Sequence, residues 1–184
     1  MAPVNPYGAA KAFAAQMVRI YRERHGLFLV NGFLYNHESP RRGENFVTRK
    51  ISRAAAAISH GQQEHLMLGD TSAERDWGDA RDFVRGMWLS LRHPTPSDYV
   101  FATGRLHSVQ QFAEAAFAVV GLDWRRHVRR DERLVRPKEP ARLVGNASRA
   151  EQVLGWTPSR DLPALARWMV ESDLADLRSR NNAG

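Results

Sequence analysis

Tyr7 and Lys11 stand four residues apart in the run Asn5-Pro6-Tyr7-Gly8-Ala9-Ala10-Lys11. On a helix that spacing puts both side chains on one face. An ammonium held beside a phenol favours the phenolate. A tyrosine so placed can take or return a proton on an alcohol or sugar hydroxyl. An ordinary surface pair on a solvated helix is the plain alternative. A second set of candidates lies in the polar run from Asn36 to Asn45. His37, Arg41 and Arg42 there can face phosphates, to which arginine gives forked contacts; a solvated charge cluster is the alternative. His37 has no partner at ligand spacing, so no metal site is read. Thr48, Arg49 and Lys50 follow. Cations in the first turns of a helix oppose its dipole, which favours an anion from outside as their partner. Arg75 and Asp76 read either as a loop ion pair, worth little when exposed, or as part of a ligand site.

The elements that must position these residues are legible from period and punctuation. Asn5 can cap a helix with Pro6 at its first position, and alanines carry it to about residue 24. Phe13, Met17, Ile20 and Tyr21 recur at helical spacing and read as its core face; Gly26 stops it. Residues 27–35 are largely apolar and read as a strand buried on both faces of a parallel sheet. The polar run follows, where open α/β sheets gather ligands outside the carboxyl ends of their strands. A helix over Phe46–Gly61 with Ile51, Ala54, Ala55 and Ile58 inward comes next, then a strand at Leu66–Leu68. Asp79 caps a helix to about Arg92, Tyr99–Thr103 is a strand, and Ser108 caps a helix ending at Gly121. Ser148 is read as the cap of a short helix ending at Leu154. Leu162–Leu177 closes the chain, with Leu165, Trp168, Met169 and Leu174 inward. Residues 1–178 are read as one unit and 179–184 as a frayed tail.

The chain has 184 residues, 43% of them hydrophobic, which suffices for one domain's core. It has no cysteine, so disulfides and thiolate metal sites are out. No apolar run approaches a membrane span and no signal peptide is visible, so a cytoplasmic protein is expected. The net charge of +7 can mean nucleic acid or a diphosphate pocket. The very basic segment from Trp124 to Val135, with Arg125, Arg126, Arg129 and Arg130, is the best nucleic-acid candidate, yet short charge runs usually form solvated loops. Nucleic-acid binding is not the reading adopted.

Several motifs agree in identity, order and spacing with one family. Asn5–Lys11 resembles the Tyr-x-x-x-Lys helix of the extended short-chain dehydrogenase/reductases. The run Asn36-His37-Glu38-Ser39-Pro40-Arg41-Arg42-Gly43-Glu44-Asn45-Phe46-Val47-Thr48-Arg49-Lys50 resembles their GDP-mannose 4,6-dehydratase branch. Arg75-Asp76-Trp77-Gly78, Thr103–Ser108 and Arg136-Pro137-Lys138-Glu139 fall where that family has such segments, and Thr103–Ser108 is assigned to scaffold. The resemblance implies an α/β fold, the C-terminal part of a Rossmann-like extended short-chain dehydrogenase, with the N-terminal cofactor-binding half missing. It implies NADP as cofactor and GDP-mannose as substrate. Tyr7 and Lys11 are then the catalytic pair and cofactor contacts, with His37 and Arg42 near the dinucleotide. Asn36, Val47, Lys50, Arg75, Arg136 and Glu139 become substrate contacts. Pro140-Ala141 departs from the family pattern beside Glu139.

The family's Gly-x-x-Gly-x-x-Gly turn and its upstream catalytic Thr and Glu have no counterpart in these residues. The expectation is therefore a dehydratase, homo-oligomeric in its complete form, whose 184-residue portion is inactive alone. A non-catalytic nucleotide-sugar binder or partner subunit, or another nucleotide-sugar epimerase or reductase, is the alternative.

Overall fold

The computed structural model describes residues 3–135 and 143–181. Helix α1 (Pro6–His25) starts with Asn5 Oδ1 accepting from Gly8 N at 2.8 Å and ends at Gly26, whose φ of 63° is left-handed. Strand β1 (Asn31–Leu34) follows and pairs in parallel with β6 (Asp98–Phe101). Helix α1 lies against this pair through one carboxylate. Asp98 accepts from Arg19 Nε at 2.6 Å, Arg22 Nη1 at 2.9 Å and the Asn31 amide at 3.0 Å. Burial pushes the Asp98 carboxyl up, but those three donors together hold it below its ordinary value.

The expected core face of α1 is not one. Phe13 is 68% exposed, Ile20 and Tyr21 are also exposed, and Ala15 is the buried residue. The helix is tied down by guanidinium–carboxylate bonds instead of by an apolar stripe. The strand expected over residues 27–35 is likewise shorter and half-buried, with Leu27 and Phe28 exposed.

Strand β2 (Asn36–Glu38) pairs in parallel with β5 (Trp77–Asp79). Helix α2 (Val47–Ser59) carries Ile51, Ala54, Ala55 and Ile58 inward, as their spacing requires. Strand β3 (Leu66–Leu68) and the two-residue β4 (Glu74–Arg75) precede α3 (Ala80–Arg92), which Asp79 caps through Arg81 N at 2.9 Å. After β6, the short β7 (His107–Ser108) runs antiparallel to β4 and leads into α4 (Val109–Val119). Ser108 and Gln111 form the reciprocal capping box of α4.

The basic segment is structured, not a solvated loop. Helix α5 (Trp124–His127) leads into β8 (Val128–Arg130), which pairs in parallel with β3. Its charges meet local acids: Arg125 with Asp123, Arg130 with Glu132 and Arg133 with Asp131. Helix α6 (Ser148–Leu154) begins without a serine cap, because Ala147 holds the cap position and Ser148 is the first helical residue, its N–H bonded to Asn146 Oδ1 at 3.0 Å. Helix α7 (Leu162–Asn181) runs past the Leu177 end expected of it.

Two cores result. One joins α2, α4 and α7 through Ile51, Phe112, Phe117, Leu165, Met169 and their neighbours. The other sets Phe83, Tyr99, Phe101 and Trp156 between the β1–β6 pair and α3 and α6. Gly86 on α3 allows that second packing, since an added Cβ would lie 2.4 Å from the Phe101 ring.

Candidate functional site

The candidate residues are placed by the carboxyl ends of β1 and β6. Helix α1 runs antiparallel to β1, because Ala15 O accepts from the Asn31 amide at 3.1 Å and Leu29 O from Arg22. From Ala15 back to Tyr7 the helix rises roughly 12 Å. From Asn31 on to Tyr35 the strand rises roughly 13 Å. Tyr7 and Lys11 therefore lie on the carboxyl-end side of the level at which Ala15 meets Asn31. Lys11 Nζ lies 5.6 Å from the Tyr7 ring centroid, so the helical spacing does bring the pair together. Tyr7 is 73% exposed.

Three further segments converge on that end through Asp76, which is 1% exposed. Its carboxylate accepts from Thr103 N at 2.8 Å, Thr103 Oγ1 at 2.6 Å, Gly104 N at 3.0 Å and Gly145 N at 3.1 Å. One buried carboxylate thus joins the step from β4 to β5, the turn after β6 and the segment at Gly145. Tyr35 adds a bond from its hydroxyl to Val144 O. A buried carboxylate survives only when its oxygens are so satisfied. Asp76 does not pair with Arg75 in the loop bridge that adjacency suggested. Arg75 lies on β4 directly opposite His107 on β7.

Asn36 opens β2 opposite Trp77, so it sits where β1 hands over to the β2–β5 pair. His37 and Arg42 are turned to internal partners. His37 donates from Nδ1 to Tyr35 O at 2.8 Å and stacks on Phe83 with ring centroids 5.1 Å apart. The Arg42 guanidinium lies 3.6 Å from the centre of the Phe46 ring, and its Nε is 3.4 Å from Glu38 Oε2. Glu38, 2% exposed, also accepts from Thr48 Oγ1. Burial pushes the Glu38 carboxyl up, against the Thr48 bond and the charges of Arg42 and His37.

Helix α2 begins at Val47, half-buried, and presents Lys50 to solvent on its first turn. Of the two cations expected to face an outside anion, Arg49 does not. It is buried and ion-paired with Asp173 of α7. Arg136 and Glu139 lie outside the described residues.

Reasoning from sequence missed Asp76, Glu38 and Thr48 as organising groups. The available signal was local: an acid inside Arg-Asp-Trp-Gly, and another just before the arginine loop. Neither pattern says what the acid will meet. Among the described residues no helix is long and apolar enough to cross a membrane.

The sequence profile of one protein family, GDP-mannose 4,6 dehydratase, matches residues 1–169. The chain is 49% identical over 172 residues to GDP-mannose 4,6 dehydratase 1 of Arabidopsis thaliana, covering 94% of this chain and 48% of that one. It is 44% identical over 198 residues to the Homo sapiens GDP-mannose 4,6 dehydratase, covering 98% and 53%. The chain thus spans about half the length of the curated relatives it matches. Among solved structures, RMD from Pseudomonas aeruginosa complexed with NADPH superposes with a TM-score of 0.87 at 21% identity, over 95% of this chain and 58% of that one. A dTDP-glucose 4,6-dehydratase from Bacillus anthracis in complex with NAD gives 0.79 at 17%, over 93% and 52%. Such identities speak for the fold: part of a Rossmann-like α/β architecture with parallel strands.

Proposed function

This chain belongs to the GDP-mannose 4,6-dehydratase family, and on that premise we propose that it is the substrate-side part of an enzyme converting GDP-mannose to GDP-4-dehydro-6-deoxy-D-mannose and water. What supports the reading is the Tyr7–Lys11 pair on the end of α1 that points to the carboxyl-end side of the β1–β6 pair, the side on which Asn36 and the Asp76-tied segments also lie. Ligands of open α/β sheets collect at that end.

The residues at this end suit a nicotinamide dinucleotide, with NADP as the finer assignment. Lys11 is exposed, has no carboxylate partner among the described residues, and stands beside a phenol. When bound, the nicotinamide supplies reversible hydride acceptance, so that the overall conversion is redox-neutral. Tyr7 takes the proton of the sugar hydroxyl being oxidised, and Lys11 stabilises the phenolate that does so. Arg75 holds the diphosphate, with Asn36, Val47 and Lys50 along the nucleotide sugar. Arg136 and Glu139 extend that contact surface, and His37 and Arg42 shape the dinucleotide side. In its complete form the protein is a homo-oligomer.

The exposed Phe13, Ile20, Leu27 and Phe28 beside β1 favour a covering body that this chain does not itself supply. Alone, the 184 residues bind GDP-mannose without turning it over. Calorimetry with GDP-mannose is the direct test. Micromolar to millimolar binding that Arg75→Ala abolishes is expected, and absence of heat at any concentration sinks the reading. Product formation by this chain with NADP added would overturn the inactivity.

A further inference from the structure

The chain has seven histidines. Six of them have a side-chain contact: His25 with Tyr21, His37 with Phe83, His60 with Ser59, His65 with Glu64, His93 with Thr95 and His127 with Phe117. Among the described residues His107 has no side-chain hydrogen bond, ion pair or ring contact. It is half-buried, and its ring nitrogens are not among the buried polar atoms without a partner, so they keep access to solvent or to a ligand.

Its placement is specific. His107 stands opposite Arg75 in the antiparallel β4–β7 pair. Residues so opposed share one face of the ladder, with Cβ atoms about 5 Å apart. The imidazole also lines a cleft of about 420 Å³ between the turn after β6 and the start of α7. The other charged groups lining that cleft are Arg105, Arg160 and Asp161. Arg160 is engaged with Asp79 at 3.3 Å, and Asp161 caps α7 through Ala164 N at 2.9 Å. Arg105 has no partner among the described residues. The turn that carries Arg105 and His107 is held at its base by the Asp76 bonds to Thr103 and Gly104. Two unengaged donors on a fixed turn, beside an arginine, form one basic face.

We propose that His107 is a second donor to the phosphates of the nucleoside diphosphate that Arg75 holds, with Arg105 at the rim of the cleft. The proposal rests on the reading of Arg75 given above. An imidazole N–H donates to a phosphate oxygen whether the ring is neutral or charged. A nucleoside diphosphate would then lie across the β4–β7 ladder, its phosphates between residues 75 and 107.

Calorimetry on the full 184-residue chain separates the outcomes, with GDP, inorganic pyrophosphate and guanosine as probes. His107→Ala is expected to weaken GDP and pyrophosphate about tenfold and to leave guanosine unchanged. His107→Asn retains an N–H donor and recovers part of the loss. Thermal unfolding of each variant guards against a folding defect, and the Asn variant stands in if the Ala variant does not fold. Equal loss for guanosine assigns the residue to structure and overturns the proposal. Unchanged GDP affinity in His107→Ala, with loss in Arg75→Ala, overturns it while leaving the Arg75 reading intact. No GDP binding by the unaltered chain removes both.

Discussion

Arg49 of α2 and Asp173 of α7 form a buried ion pair, with side chains 9% and 5% exposed. The pair joins two helices of the larger core at the turn where α2 presents Val47 and Lys50. Removing one partner strands the other charge in the interior. Asp173→Ala is expected to cost roughly 3–5 kcal/mol in urea unfolding, whereas Arg49→Met with Asp173→Leu together costs far less. A single variant within about 1 kcal/mol of the parent would show that the charges are not desolvated.

Asp76→Ala leaves the N–H groups of Thr103, Gly104 and Gly145 without their acceptor. Roughly 3 kcal/mol or more of stability should go with them. Asp76→Asn keeps one accepting oxygen but aims an NH2 at one of the donors, so it recovers only part. GDP affinity is expected to fall further than stability, because the turn bearing His107 loses its anchor. Chemical denaturation and calorimetry on the same samples check the two effects separately.

Glu38, buried, and Asp98, half-buried, set opposite pH trends. Desolvation raises Glu38 above its ordinary 4.5, so its contribution to stability is full below that value and lost as pH rises through the folded value. Asp98 is held below its ordinary 3.8; its contribution is present above that value and lost as pH falls through the lower folded one. Glu38→Gln should therefore gain on the parent as pH rises from about 4.5 to 7. Asp98→Asn should lose most near neutrality and converge on the parent in acid. Stability gaps that stay constant with pH would contradict both assignments.

Gly86→Ala inverts the usual helix preference. Alanine in place of glycine normally favours a helix by about 1 kcal/mol. Here the added methyl meets the Phe101 ring at 2.4 Å and Trp156 Nε1 at 2.9 Å. Overpacking of that kind costs roughly 1–3 kcal/mol, so the melting temperature should drop. A rise would mean that Phe101 and Trp156 can shift aside.

The helices were legible because their signals are local. Asn5 and Pro6 open α1, Ser108 and Gln111 close a box at α4, and the apolar period of α2 points its buried face inward. The same periodic logic failed for α1, where Phe13 and Ile20 carry a core pattern yet remain exposed. Period specifies which residues share a face, not what the face meets.

By itself, then, the order of residues determined the longer helices, the Tyr7–Lys11 pairing and the family, since each depends on neighbours within a few positions or on motifs in series. Only the tertiary structure decided that Arg49 answers an acid 124 residues away, that Asp76 binds the backbone of two distant segments, and that His107 stands across from Arg75. Hydrogen bonds and ion pairs carry no period along the chain. Their partners are chosen by which charge would otherwise be left dry, and that is known only once the chain has closed around it.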